Sequence, residues 1–517
     1  MSCRILARAP RADTSPLITA DTAIVSAFLS DAAHVPGGFA PGVAFARTEG
    51  EIAALLAGSG SVLPVGAQSS LTGGATPRGD IVLSTRALTS VESVDGHHVR
   101  VGAGVTLADL QQQLSASGLY YPPVPTYDGA FVGGTIATNA AGAATFKYGS
   151  TRPWVDAITV VLASGVVLEI TRGATVASPD GRFDVLMPDA TQVDIPVPRY
   201  RMPPVPKLSA GYYAAGGMDL IDLFIGSEGT LGVITEAVLR IIERPLRSVA
   251  LVRCRDDRQA IAVTTALRDQ ARLAWARRGA LDVSAIEYMD SRSLLVVPDA
   301  AFQKSRVERP PEGAVLLLVQ MEVFEGENAT LSSLAEVLDA AGVTDDPLVT
   351  SAGDDGGAQR LFDLREAVPA SVNARIALAK QMDDRIEKTA GDLIVPFESL
   401  ELALATYQRV LEERHLDYAI WGHVSDGNLH VNVIPRTVDE MMAGREALIA
   451  MARHVIEMGG SPLAEHGVGR SAMKQRLLRE LYGDEGIEQM RAVKRALDPE
   501  WKLAPGVLFP APDRSRG

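Results

Sequence analysis

The chain has 517 residues, 47% apolar and 22% charged, the balance of an ordinary globular protein too long for one hydrophobic core. A formal charge of −14 repels phosphate backbones and argues against nucleic acid as a partner. The two cysteines, Cys3 and Cys254, exclude a disulfide framework, a CxxC redox pair and a thiolate metal site.

Residues 1–40 read as a helical lead-in, with apolar residues at helical spacing from Thr22 to Ala33 and a stop at Pro36-Gly-Gly38. A strand at Val62–Val65 then runs into Gly66-Ala-Gln-Ser-Ser-Leu-Thr-Gly-Gly74. A loop of small residues after a strand presents backbone N–H groups without obstruction, which suits phosphate oxygens. It carries neither GxGxxG nor GxxxxGK[ST], so it is not a usual Rossmann fingerprint or P-loop. Strands are expected at Ile81–Ser84, Ser90–Val94 and Val99–Val101, and a helix at Leu107–Ser117. A second small-residue cluster spans Asp128–Gly142, two strands lie within Trp154–Ile170, and a third cluster is Phe224–Ile234. Three such clusters at strand or helix ends point to one extended dinucleotide site.

Beyond Pro245 the order strand, helix, strand, strand, helix, strand runs from Ser248 to Ser351, the pattern of a ferredoxin-like sandwich. Ala300–Glu312 reads as a surface loop and Ala358–Lys380 as a helix. Helices at Asp439–Glu457, Lys474–Gly483 and Ile487–Leu497 close the chain, and Met441, Met442 and Met451 sit at core spacings.

Between them lies Ala419–Ile434, where Asp426-Gly427 separates two apolar runs, a strong hairpin signal. With those two residues as the loop, His423 faces His430, and Asn432 points to the same face as His430. Two imidazoles on one face can share a metal. Glu465 can add an oxygen, and His466 beside it can serve as a free base. Two histidines and one carboxylate leave open positions on a divalent ion, which suits catalysis.

These residues resemble a known family. Pro64–Gly74, Val132–Gly142, Lys147-Tyr-Gly149 and Gly226–Thr235 resemble the FAD domain of the vanillyl-alcohol oxidase superfamily. Gly422–His430, Glu465-His-Gly-Val-Gly469 and Leu497-Asp-Pro followed by Pro505-Gly506 are similar to its FAD-linked D-2-hydroxyacid dehydrogenases. The likeness covers residues 40–510 in order. It implies an α+β fold: a two-part PCMH-type FAD domain over 41–245, a ferredoxin-like cap with the metal hairpin over 246–435, and a helical segment over 436–517 that closes over the flavin.

Carried over motif by motif, the resemblance implies that His423, His430 and Glu465 ligate zinc or manganese and that His466 is the general base. It puts Asn432 against the substrate, Arg365 on the substrate carboxylate and Lys388 in the charge of the pocket. FAD would lie against Pro64, Gly66, Ala67, Gln68, Ser69, Ser70, Leu71, Gly133, Gly134, Thr135, Thr138, Asn139, Gly142, Glu228, Gly229, Gly232, Val233 and Ile234. Covalent members hold a histidine in the loop at 66–71. This chain has none there, so its FAD is expected to be non-covalent. Ser425 stands where glycine is more usual, and Ala504 where asparagine is typical.

The expected reaction takes a hydroxyl proton and a Cα hydride from a small 2-hydroxy acid such as D-lactate, glycolate or D-2-hydroxyglutarate. The hydride goes to flavin N5. Quinone, cytochrome, electron-transfer flavoprotein and oxygen all remain open as acceptors. A homodimer is compatible with the sequence, as is a cytoplasmic protein that touches a membrane surface. No secretion signal and no apolar run of membrane length stand against that setting. A non-redox FAD enzyme of the alkyl-dihydroxyacetonephosphate synthase type is the alternative, as is a flavin subunit of a glycolate oxidase complex. The intact His-x6-His with Glu465-His466 argues against the first.

Overall fold

The computed structural model describes residues 2–11, 16–123, 125, 127–324 and 326–511. The half that carries the glycine-rich clusters is built on two main sheets. A four-stranded sheet aligns Ile18–Thr19, Val43–Phe45, Ile81–Ser84 and Val62–Val65 in the spatial order 1-2-3-4 as written, its last three strands parallel. The three parallel strands are almost wholly apolar and buried, because helices and loops cover both faces, whereas Ile18 on the edge strand is exposed. A five-stranded antiparallel sheet follows, with Val155–Val161 and Val233–Arg240 at its centre. The helix Glu49–Gly58, capped by the Thr48 side chain, packs Ile52, Leu55 and Leu56 between them.

The second half is one seven-stranded sheet, whose strands we number β1 Arg247–Cys254, β2 Asp282–Met289, β3 Val315–Glu322, β4 Leu348–Val349, β5 Thr389–Ile394, β6 Tyr418–His423 and β7 Asn428–Val433. Their order is β4-β1-β3-β2-β6-β7-β5, antiparallel throughout. The first four strands have the ferredoxin-like order. The hairpin β6–β7 does not stand apart from them but extends the same sheet through β2, and β5 closes the far edge.

The hairpin register differs from the expected one by two residues. Trp421, not His423, stands opposite His430, and Ala419 stands opposite Asn432. His423 instead faces Glu287 on β2. The turn is longer than two residues: Val424–Asp426 forms a 3-10 turn, and Gly427 ends it at φ +79°. A slip of two leaves every side chain on its original face. His423 and His430 therefore become diagonal neighbours, with ring centroids 5.3 Å apart.

Other expectations yield to tertiary contacts. The helix expected over Thr22–Ala33 is only Thr22–Ser26, because Asp31 turns the chain to accept the N–H groups of Ala33 and Ala75. Much of the N-terminal lead-in is not helical: Arg4–Leu6 pairs in parallel with Arg182–Leu186. The loop expected at 300–312 begins as a helix, Asp299–Ser305, anchored by buried Phe302 and ended by Arg306 at φ +57°. The last two helices run as Ala472–Leu497, broken at Gly483, where φ is +70°. Met441 and Met451 are buried, but Met442 is exposed.

The two halves meet at a charged clamp. Lys147 Nζ lies 2.7 Å from Asp282 Oδ2 and 2.6 Å from Glu322 Oε2, and Tyr148 donates its hydroxyl to Glu322. No helix among the described residues is long and apolar enough to cross a membrane.

Two predictions rest on this frame. Asp290 caps the helix Ser291–Val296 and accepts the Ser293 N–H, but burial pushes its carboxyl up to about 7. A carboxyl raised in the folded state contributes stability that is full below its unfolded value and lost as pH rises through the folded one. Asp290→Asn, which keeps the cap and does not titrate, should therefore gain stability on the parent as pH rises from about 4 to about 7, read by denaturant unfolding across that range. At Gly427 a Cβ would lie 2.3 Å from the Val395 carbonyl oxygen. Gly427→Ala should cost at least about 1–3 kcal/mol in the same assay.

Candidate active site

Three imidazoles and one carboxylate converge where the hairpin meets the loop after the helix Val438–Glu457. Glu465 Oε1 lies 3.4 Å from His423 Nε2, 3.3 Å from His430 Nε2 and 3.5 Å from His466 Nε2. Each ring has a carboxylate near its other nitrogen. Glu287, set opposite His423 by the β2–β6 register, is hydrogen-bonded to His423 Nδ1. Asp392, set opposite His430 by the β5–β7 register, lies 3.2 Å from His466 Nδ1 and 3.6 Å from His430 Nδ1. A carboxylate behind a histidine fixes its tautomer and turns the far nitrogen's lone pair outward.

The charges are buried and mutually compensated. Burial opposes ionisation of Glu287, but the His423 ring and the Arg365 guanidinium hold its carboxyl well below the usual range. Burial likewise opposes a charge on His423, yet Glu287 and Glu465 push the ring up to about 9. Burial takes His430 the other way, down to about 4, against the pull of Glu465. Asp392 accepts the backbone N–H groups of Glu465 (2.8 Å) and His466 (3.0 Å), so it shapes the loop that carries both residues.

Arg365 is 5% exposed, and its Nε donates to Glu287 Oε2 at 2.7 Å while Nη1 donates to Glu366 at 2.8 Å. It lies one shared carboxylate away from His423. Asn432 is buried beside His430 and donates to the His430 carbonyl at 3.2 Å. Lys388 is exposed and sits just before β5. Strand alternation puts it on the face of Asp392 but about 13 Å along, outside the cluster. Ser425 uses its hydroxyl to accept the Ile286 N–H at 3.2 Å, which ties the turn to β2.

A cavity of about 300 Å³ opens against this cluster. It is lined by Pro64, Gly66, Ala67, Gln68, Ser69, Ser70 and Leu71 from the first glycine-rich cluster and by Gly133, Gly134, Thr135 and Thr138 from the second. Glu228, Gly229, Gly232, Val233 and Ile234 come from the third, and Glu465, His466 and Val507 reach it from the C-terminal part of the chain. Two expected contacts are absent from the lining, and the hydrogen bonds explain why. Asn139 accepts the Arg152 N–H at 3.0 Å and donates to the Leu208 carbonyl at 3.3 Å, so its amide holds loops together. Gly142 donates its N–H to Thr145 Oγ1 at 3.1 Å. Glu228 accepts the N–H groups of Val468 and Gly469, both at 2.8 Å, and burial pushes its carboxyl up to about 7. Ala504 is buried at φ +44° and donates its N–H to the Val62 carbonyl, so it binds the C-terminal segment to the first sheet.

Both groups that the resemblance implies fit these residues. A Cβ on Gly134 would meet nothing within 4 Å, so the glycine keeps open a space that a flat cofactor can enter closely. Two ligand atoms about 2.0–2.1 Å from a shared tetrahedral ion stand about 3.3 Å apart. The 3.4 and 3.3 Å separations of Glu465 Oε1 from His423 and His430 match that spacing. Among the described residues, the set whose ligand atoms all lie within 4.8 Å of one another is Asp392, His430, Glu465 and His466, and His423 is not in it. Asp392 Oδ2 is already engaged by two backbone N–H groups and His466, so it is the poorer ligand of the two choices.

Sequence reasoning missed Glu287, Lys207 and the part played by Asp392. Glu287 left a signal: of the two acidic residues in a strand buried from end to end, it is the one inside the strand, among apolar neighbours, where a carboxylate must be paired. Lys207, 1% exposed, left none in its loop.

Residues 247–508 match the family model "FAD linked oxidases, C-terminal domain", and residues 40–171 match a "FAD binding domain". The chain is 30% identical over 465 residues to a D-2-hydroxyglutarate dehydrogenase of Xanthomonas citri pv. viticola, covering 88% of this chain and 85% of that one. It is 28% identical over 461 residues to the glycolate oxidase subunit GlcD of Bacillus subtilis, covering 88% and 85%. A D-lactate dehydrogenase of Anaerostipes hadrus is 28% identical over 459 residues, covering 86% and 84%. A solved alkyldihydroxyacetonephosphate synthase superposes with a TM-score of 0.60 at 14% identity, covering 94% of this chain and 82% of that one, a likeness of fold. With a PCMH-type FAD-binding α+β fold and a family match over its entire second half, the chain belongs to the FAD-linked oxidases, an oxidoreductase family with D-lactate and D-2-hydroxyglutarate dehydrogenases among its members.

Proposed function

We propose that the protein oxidises a small D-2-hydroxy acid, of the D-lactate, glycolate or D-2-hydroxyglutarate class, to the 2-oxo acid. The observation that carries this reading is the shared cavity: three glycine-rich clusters line it on one side, and Glu465 and His466 on the other. The names borne by the relatives support the same substrate class. In this reading residues 41–245 hold non-covalent FAD, 246–435 carry substrate and metal residues, and 436–517 bring Glu465 and His466 over the flavin.

His423, His430 and Glu465 would hold one divalent ion, zinc or manganese. When bound, the ion supplies Lewis acidity at the substrate hydroxyl, and FAD supplies the hydride acceptor N5. His466, with Nδ1 held at Asp392, takes the hydroxyl proton at Nε2 as the Cα hydride leaves, which balances a two-electron oxidation. Arg365 offers a planar fork to the substrate carboxylate, its orientation fixed by Glu287 and Glu366. Asn432 adds an amide beside His430, and Lys388 adds positive charge at the rim, where a second carboxylate would lie. An external acceptor (quinone, cytochrome, electron-transfer flavoprotein or oxygen) completes the cycle.

The test is anaerobic. FAD- and metal-loaded protein is mixed with D- and L-2-hydroxy acids, and the oxidised flavin band should bleach with a D-acid. No bleaching with any of them refutes the reading. His466→Ala should slow bleaching by about 10²–10⁴-fold with FAD content unchanged. Glu287→Gln, which removes the charge behind His423, should weaken the divalent ion by about 10–100-fold in a chelator titration.

A further inference from the structure

Lys207 reaches the cluster from residues 172–246, the stretch between the two matched family segments. Its side chain is fully buried, and Nζ lies 2.9 Å from Glu465 Oε2 and 3.2 Å from Asp426 Oδ2. Asp426 is itself fully buried, and among the described residues its carboxylate makes this ion pair and no well-aligned hydrogen bond. The ammonium thus joins two buried carboxylates, which explains why a lysine is tolerated there.

A cation beside a carboxylate that must itself bind a cation works against affinity. What it contributes is geometry. Lys207 occupies Oε2, so only Oε1 faces the histidine nitrogens at 3.3–3.5 Å. A carboxylate released from such a partner can turn and ligate through both oxygens. A second oxygen would take a position that the hydroxyl and carboxylate of a 2-hydroxy acid need. We infer that Lys207 is a positioning residue that holds Glu465 to one-oxygen ligation and so keeps a coordination position open for substrate. This rests on the metal reading of the proposed function.

The test uses FAD-loaded protein stripped of metal by a chelator and refilled with Co²⁺, whose visible absorption weakens as its coordination number rises. Oxalate, an unreactive chelating dianion, probes the open positions. The variants are Lys207→Met, the double variant Lys207→Met/Asp426→Asn, which leaves no unpaired aspartate behind, and Asp426→Asn alone. Both Lys207 variants should bind Co²⁺ at least as tightly as the parent, with a weaker cobalt band and oxalate affinity lower by about tenfold or more. Asp426→Asn should match the parent in both.

If Lys207→Met loses FAD, the double variant decides. Loss of FAD in both overturns the inference, because Lys207 then serves the fold. A parental cobalt band with parental oxalate affinity also overturns it. So does a fall in Co²⁺ affinity of about 10–100-fold with FAD in place, the signature expected of Glu287→Gln. If the parent itself binds no Co²⁺, the metal reading fails and this inference falls with it.

Discussion

One carboxylate oxygen organises the functional half of this protein. Glu465 Oε1 stands within 3.5 Å of three imidazole nitrogens that arrive from β6, β7 and the loop after them. Bringing those groups together means burying Glu287, Asp392 and Asp426, and half-burying Glu465, with Lys207 and Arg365 between them. Taking so many charges from water is expensive, and buried pairs seldom return more than they cost. Their effect is orientation. His423 and His466 each have a carboxylate on the back nitrogen, Glu465 has one oxygen engaged by Lys207, and its other oxygen faces all three Nε2 atoms.

The same frame explains why the cavity is assembled from distant parts of the chain. Glu228, in the third glycine-rich cluster, receives the N–H groups of Val468 and Gly469, so the loop bearing Glu465 and His466 hangs from the flavin-binding half. The C-terminal segment bridges back to Val62 through Leu503 and Ala504. Lys147 and Tyr148 grip β2 and β3 from below through Asp282 and Glu322. No one segment holds both the glycine-rich clusters and His466, and their spacing is set by these polar contacts.

Much of this was legible in the sequence where the signal was local. Alternation and glycine placement located nearly every strand of the second sheet, and the small-residue clusters that line the cavity stand out by composition. What stayed hidden depends on partners far away in sequence. Lys207 meets Glu465 across 258 residues, and nothing in Pro206-Lys207-Leu208 records that. Asn139 sits inside a cofactor-like cluster, yet its amide is used up on Arg152 and Leu208. The helix at Asp299–Ser305 escaped notice because one buried phenylalanine anchors it. The hairpin register was misread by two because a 3-10 turn, rather than Asp426-Gly427 alone, reverses the chain.

That turn also divides the labour between the two rings. His423 ends β6 and is fixed from β2, through Glu287, whereas His430 lies in β7 opposite Asp392 of β5. Which side of the sheet each ring occupies is therefore set by its own outer neighbour, because alternation runs along a strand and not through a turn. The tip is anchored separately: the Ser425 hydroxyl accepts the Ile286 N–H, and the Val395 N–H donates to the Gly427 carbonyl. The connection between the rings is a part with its own fastenings, and what it carries is closure of the chain rather than aim of the imidazoles.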